Sequence, residues 1–333
     1  MLTASLLVAG GALLLWVGAE ALVRGAAALG ARAGIPPVVI GLTVVSIGTS
    51  APELVVCVLA AVRGSPDLAV GNVVGSNLAN VGLILGLAAA VRPLAIAGQV
   101  VRREIPWMVA LTVLLLPVLW NLQLGRVEGA VLGSFLFLYL FLLMLAVRSE
   151  KAGRSGSDVA AVALETGERV RPGGSWGRPD GLRVYAIPAV LVLAGSVGLV
   201  LGGQGIVAGA TTLAASLGVQ EMVIGLSVVA VGTSLPELAT TVVAAIRREA
   251  DLAVGNIVGS NIFNLTFVLG GTALVQPLTI SPSVLRVEYP ALVVVSLALL
   301  PLAWTSRNLG RLEGLFLLSL YAGAWGWILW GGT

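Results

Sequence analysis

Long apolar runs separated by short polar clusters extend from one end of the chain to the other. Stretches such as Ile105–Trp120 and Leu132–Val147 approach the roughly 20 apolar residues that a helix needs to cross a bilayer. No ten-residue alternation of polar and apolar positions appears, so the spans read as helices and not as the strands of a barrel. Five spans are predicted in the first half, at about 4–23, 36–62, 68–91, 105–121 and 128–147. Five more follow at about 184–201, 219–246, 252–275, 287–304 and 312–331. The first span resembles a signal peptide in apolarity but has no basic residue before Arg24, and its counterpart at 184–201 is internal; it is expected to be retained.

The two halves are copies. Gly41–Ala60 and Gly225–Ala244 are identical at 12 of 20 positions, and Asp67–Gly86 and Asp251–Gly270 at 13 of 20, both at an offset of 184. The match continues through Pro93/Pro277, Glu104/Glu288, Pro117/Pro301 and Trp120/Trp304. Five spans per copy force the second copy to enter the membrane upside down. The expected fold is therefore an all-α integral membrane protein of ten transmembrane helices, as two inverted five-helix repeats. Its units would be residues 1–148, a linker at 149–183, and 184–333, with the repeated motifs within 41–86 and 225–270. Basic residues orient it: with both termini outside, 16 of the 19 lie on cytoplasmic segments, and Arg63, Arg126 and Arg286 lie outside. The Gly- and Ser-rich stretch 149–181 reads as a flexible cytoplasmic linker in a multi-pass cell-membrane protein.

Composition narrows the chemistry. Only 11% of residues are charged and mean hydropathy is +1.02, so lipid is the expected solvent and partner. A net charge of +3 without a basic, aromatic-interleaved patch gives no reason to expect nucleic acid. One cysteine and no histidine exclude an internal disulfide, a cysteine-based zinc cage and imidazole ligands. No nucleophile–base pair or nucleotide motif suggests an enzyme, and no cofactor or obligate protein partner is implied. Whatever is bound is bound mainly by oxygen.

The oxygen sits in two repeated motifs. The second span of each half carries Gly-Thr-Ser-x-Pro-Glu: Thr49, Ser50, Pro52 and Glu53, then Thr233, Ser234, Pro236 and Glu237. A carboxylate in mid-span costs about 2.5–3.5 kcal/mol to insert, so it needs a use. No arginine within a span can neutralise it. The proline is expected to break or kink the helix, freeing carbonyls one turn earlier near Ser46 and Ala230. The third span carries Gly-Ser-Asn-x-x-Asn. Ser76 and Asn80, and Ser260 and Asn264, are four residues apart and share a helix face. Asn77 and Asn261 could equally be glue between helices. Together the motifs form an all-oxygen cage that suits one calcium ion, or several sodium ions on shared oxygens; magnesium, which dehydrates reluctantly, suits it less. Exclusive occupancy by one ion or the other is a physical basis for antiport. Glu104, Glu288, Glu128, Glu313 and Glu221 sit at span edges and read as structural, Asp67 and Asp251 read as N-caps, and Cys57 has no role.

These paired motifs resemble the alpha-repeats of the cation/calcium exchanger superfamily, closest to its sodium/calcium exchanger branch, over essentially the whole chain. The resemblance implies antiport of Na+ against Ca2+ by alternating access, with the second and seventh helices broken around four cation sites. Glu53 and Glu237 would be the central ligands, assisted by Thr49, Thr233, Ser50, Ser234, Ser76, Ser260, Asn80 and Asn264. The Ser46 and Ala230 carbonyls would line outlying sodium sites, and three sodium ions would typically exchange for one calcium. The alternatives are proton-coupled and potassium-dependent relatives. The former usually place an extra glutamate in the third-helix motif. Some relatives carry aspartate where this chain has Asn264, so the neutral residue argues against potassium co-transport. A channel fits less well, because two unshielded carboxylates should trap a divalent ion.

Overall fold

The computed structural model describes residues 1–166, 183–217 and 230–331. Over those residues the chain is helical apart from two-residue strands and short turns. The first half contains α1 (Leu2–Ala33), α2 (Pro37–Val62), α3 (Pro66–Val91), α4 (100–119) and α5 (Arg126–Thr166). The second contains α6 (Arg183–Ser216), α7 (Ala230–Thr233), α8 (Leu235–Ile246), α9 (Ala250–Val275), α10 (284–306) and α11 (Arg311–Gly331). Among the described residues, seven helices are long and apolar enough to cross a membrane: α1, α2, α3, the first part of α5, α6, α9 and α10. The start of the expected span 219–246, with Glu221, lies outside the described residues. So does 167–182, the later part of the expected linker; its beginning, from Ser149, continues α5 as helix to Thr166.

Burial runs opposite to hydropathy. The span Arg126–Ser149 has mean hydropathy 2.6 and is 22% buried, whereas α9 has 1.5 and is 94% buried, with α3 at 1.7 and 78%. The most apolar helices form the rim, where they can meet lipid, and the helices that carry Asn and Ser form the centre. This order is what a lipid solvent selects, because a polar group in a bilayer has to find its partners inside the protein.

Glycine sets the closest packing. Gly11, Gly18 and Gly25 on α1 and Gly195, Gly202 and Gly209 on α6 recur every seven residues, hence on one face of each helix. A Cβ at Gly18 would stand 2.8 Å from the Leu199 nitrogen, and one at Gly195 would stand 2.5 Å from the Leu22 nitrogen. Gly11 faces Gly202 and Gly25 faces Pro188, so the two helices run antiparallel. The backbones touch because small residues let them approach. Arg247, just after α8, pairs with Glu20 of α1, which also holds Arg24 at 2.7 Å. Across the centre, Gly255 and Gly259 on α9 meet α2 at Val38 and Leu42.

Short antiparallel ribbons join the halves. β1 (Leu94–Ala95) pairs with β4 (Asn308–Leu309), and β2 (Gln123–Leu124) with β3 (Leu278–Thr279). Asp67 and Asp251, expected as N-caps, do something else. The N-cap positions belong to Ser65 and Glu249, and Asp67 lies in the first turn. Its Oδ1 accepts the Ser281 amide at 2.8 Å, and Asp251 accepts the Ala97 amide. Each carboxylate thus holds a loop of the opposite half. Glu104, expected at a span edge, is wholly buried, because the helix begins at Val100 and carries it into the packed interior. There Arg103 Nε donates to Glu104 Oε1 at 2.6 Å.

The expected helix break occurs in one copy only. In the second, Ser234 leaves helical geometry (φ −90°, ψ 6°) between α7 and α8. In the first, Ser46–Val62 stays α-helical through Pro52, and the irregularity moves upstream to a π-helical turn at Gly41–Val45. Proline removes one helical bond, and α2 is held on both sides of it by contacts with α9 and α3. The carbonyl that loses its partner is the one four residues before the proline, at Gly48 and not at Ser46.

Candidate functional site

α2 and α8 bring their carboxylates to the centre of the molecule, where Glu53 and Glu237 are both 0% exposed. Neither pairs with an arginine among the described residues. Glu237 Oε1 accepts a bond from Ser50 Oγ of the other motif at 3.3 Å. Both oxygens of Glu53 and Oε2 of Glu237 have no hydrogen-bond partner.

The neutral residues interlock across the halves. Thr49 Oγ1 donates to Asn256 Oδ1 at 3.2 Å and lies 3.3 Å from Ser260 Oγ. Thr233 Oγ1 donates to Asn72 Oδ1 at 3.1 Å. Asn80 Nδ2 donates to Asn261 Oδ1 at 2.9 Å, and Asn264 Nδ2 to Asn77 Oδ1 and Ser76 Oγ, both at 3.1 Å. The 184-residue offset relates Thr49 to Thr233, Asn72 to Asn256, Asn77 to Asn261 and Asn80 to Asn264, so the contacts are reciprocal. Ser46 is occupied differently. Its carbonyl lies 3.3 Å from Thr49 Oγ1, and its hydroxyl lies 2.8 Å from Gly41 O and 3.0 Å from Asn256 O, closing the π-helical turn against α9. Ala230 begins α7, at the edge of the described residues.

Unsatisfied atoms concentrate at this centre. Buried polar atoms are almost always paired, and each exception calls for a cause. Among the described residues twelve buried side-chain nitrogens and oxygens lack a partner. Seven of them are oxygens of Glu53 (two), Glu237, Asn80, Asn264, Ser234 and Thr240. All seven are in or one turn beyond the repeated motifs. Carboxylate and amide oxygens are acceptors only, so they cannot satisfy each other and need a donor or a cation. The donor set is all oxygen, which fits a hard cation.

Four residues of this network are absent from the ligands expected from sequence. Asn72 and Asn256 orient the motif threonines. Asn256 Nδ2 also donates to Thr241 Oγ1 at 3.0 Å, and Asn72 Nδ2 to Cys57 Sγ at 3.4 Å. Cys57, wholly buried, is the repeat counterpart of Thr241, so its place is a packing and hydrogen-bonding one. Asn77 and Asn261 bond each other's main chain. Identity at the 184 offset inside Asp-Leu-Ala-Val-Gly-Asn was the available signal for Asn72 and Asn256.

Comparison with known proteins agrees with this geometry. The family described as sodium/calcium exchanger protein matches residues 3–145 and 187–330. The chain is a member of that family. The two matched stretches are the two halves, separated by residues 146–186, which include the end of α5 and the start of α6. Among relatives of this exchanger, the inner membrane protein YrbG of Escherichia coli is 39% identical over 99% of this chain and 96% of its own. The sodium/calcium exchanger MaX1 of Methanosarcina acetivorans is 30% identical, over 91% of this chain and 92% of its own. The solved structure of the sodium–calcium exchanger NCX_Mj soaked with 10 mM Na+ and no Ca2+ superposes with a TM-score of 0.80. It is 28% identical and covers 98% of both chains. By family and fold this exchanger is an integral membrane antiporter of the sodium/calcium type.

Proposed function

We propose that the chain exchanges Na+ for Ca2+ by alternating access, with the transported cations held between Glu53 and Glu237. The observation that carries this reading is the pair of wholly buried carboxylates: three of their four oxygens, with those of Asn80, Asn264 and Ser234, have no protein donor. Two carboxylates balance the charge of one Ca2+, and the hydroxyls and amides complete the six to eight oxygens that it takes. Sodium ions sharing the same oxygens exclude it, which couples the two fluxes. Thr49, Thr233, Ser50, Ser76 and Ser260 complete the ligand set, with the Ser46 and Ala230 carbonyls at its ends; Pro52 does not free the Ser46 carbonyl, which would coordinate through its second lone pair. Ten transmembrane helices in two inverted repeats, residues 1–148 and 184–333, are the architecture that goes with this site. Substrate near the midplane between inverted halves is the usual arrangement of such carriers.

The test is uptake of radiolabelled Ca2+ into sodium-loaded proteoliposomes, with external sodium, potassium and pH varied separately. Uptake is expected to require internal sodium, to saturate, and to proceed with choline replacing potassium. Uptake that needs potassium, or that a proton gradient drives without sodium, assigns the chain to a different coupling.

Orientation follows from the 16 to 3 division of basic residues, which puts both termini outside and 149–183 in the cytoplasm. With Cys57→Ser as background, Ser157→Cys should resist an impermeant thiol reagent added to intact cells, and Thr333→Cys should react. Labelling at position 157 from outside reverses the assignment.

A further inference from the structure

An asparagine side chain has an acceptor end and a donor end of nearly equal size, and rotation by half a turn exchanges them. At a cation site the two ends have opposite effects: the oxygen attracts the ion and the NH2 repels it. Nothing in Asn80 or Asn264 alone decides which end faces inward. We propose that Asn77 and Asn261 are positioning residues that hold the amides of Asn80 and Asn264 with oxygen toward the transported cation; the proposal rests on the cation reading above.

The hydrogen bonds run in one direction only. Asn77 Nδ2 donates to the Asn261 main-chain oxygen at 3.3 Å, and Asn261 Nδ2 to the Asn77 main-chain oxygen at 3.3 Å. With each NH2 committed to the opposite backbone, each Oδ1 is left as an acceptor. Asn261 Oδ1 takes Asn80 Nδ2 at 2.9 Å, and Asn77 Oδ1 takes Asn264 Nδ2 at 3.1 Å. The outcome is that Asn80 Oδ1 and Asn264 Oδ1 are buried and unpaired. All four residues are at most 1% exposed, so water cannot stand in for a lost partner. Turning either ligand amide around would set NH2 against the cation and oxygen against oxygen behind it.

The two sides are not equivalent. Asn264 Nδ2 has a second acceptor in Ser76 Oγ at 3.1 Å, whose own proton goes to Val73 O. Asn80 Nδ2 bonds to Asn261 alone among the described residues. Loss of Asn261 therefore releases Asn80 completely, and loss of Asn77 leaves Asn264 half held. A purely structural role gives no such difference, because Asn77 and Asn261 make the same bonds to each other's backbone.

The experiment is a mutant cycle on the full chain in sodium-loaded proteoliposomes, reading apparent KM for Ca2+ separately from maximal rate, with thermal stability of each variant. Asn261→Leu is expected to raise the apparent KM about tenfold, the effect of one buried, oriented hydrogen bond. Asn77→Leu should raise it only about two- to threefold, with Ser76 retaining the Asn264 amide. Asn80→Asp puts an acceptor at both ends of the side chain, so orientation no longer matters. In that background Asn261→Leu should cost less than about twofold. Equal costs of Asn261→Leu in the two backgrounds, or a larger effect from Asn77→Leu, overturn the proposal. If Asn261→Leu does not fold, Asn261→Ala, which also lacks the acceptor, takes its place in the same cycle. Wild-type protein that transports no calcium overturns the exchange reading instead, and the proposal with it.

Discussion

Glu53→Gln and Glu237→Gln should each abolish calcium uptake while leaving the protein folded. Two unit charges 4 Å apart interact by about 4 kcal/mol at an effective dielectric of 20, and the cation here is divalent. Glutamine keeps the shape and one acceptor but removes half of the compensating charge. Each 1.4 kcal/mol is tenfold in affinity, so a loss of about a thousandfold or more in calcium binding is expected. Folding should survive, since three of the four carboxylate oxygens make no bond that the protein would miss. Uptake of radiolabelled Ca2+ together with a thermal melt in detergent separates the two effects. Glu249→Gln, at the turn between α8 and α9, is the matched carboxylate control and should transport normally. Glu104 does not serve as that control, because it is buried and paired with Arg103. Near-normal uptake by either site variant removes that glutamate from the ligand set.

A side chain at Gly195 should unseat α1 from α6. A Cβ there would lie 2.5 Å from the Leu22 nitrogen and 2.7 Å from the Gly18 oxygen, both main-chain atoms that no rotamer change can move. Gly195→Val should cost at least about 3 kcal/mol, the upper end of what overpacking usually costs. Folded yield and melting temperature are the readouts. Gly10→Val is the comparison, since a Cβ at Gly10 meets nothing within 4 Å, and it should be close to neutral. A melting temperature unchanged by Gly195→Val would mean that the two helices can separate at little cost.

Much of the site is legible in the chain because the duplication prints it twice. A carboxylate in an apolar span is expensive anywhere, and one that recurs 184 residues later beside the same Thr, Ser and Pro points to a shared use. The same duplication made Asn80 and Asn264 visible, and their unpaired oxygens are consistent with that reading. It did not distinguish the residues that orient from those that are oriented. Asn77 and Asn261 share the helices of Asn80 and Asn264, and only a partner from the other half separates their roles.

Helix positions, the duplication and the two carboxylates follow from the sequence by itself, because hydropathy accumulates along a continuous run and a repeat can be read without knowing any contact. The described helices start within a few residues of where apolar runs begin, although α1, α5 and α6 continue past the expected ends. Tertiary structure decided what depends on distant partners. Asp67 and Asp251 hold loops of the opposite half in place of capping their own helices. Pro52 leaves α2 helical, whereas the matching segment opens at Ser234, although both copies carry the same Gly-Thr-Ser-x-Pro-Glu. Which end of an amide faces inward was likewise undecided until the other half supplied an acceptor. A bilayer selects apolar length locally, but it offers no partner to a polar group, so every hydrogen bond at the centre had to be settled by the fold.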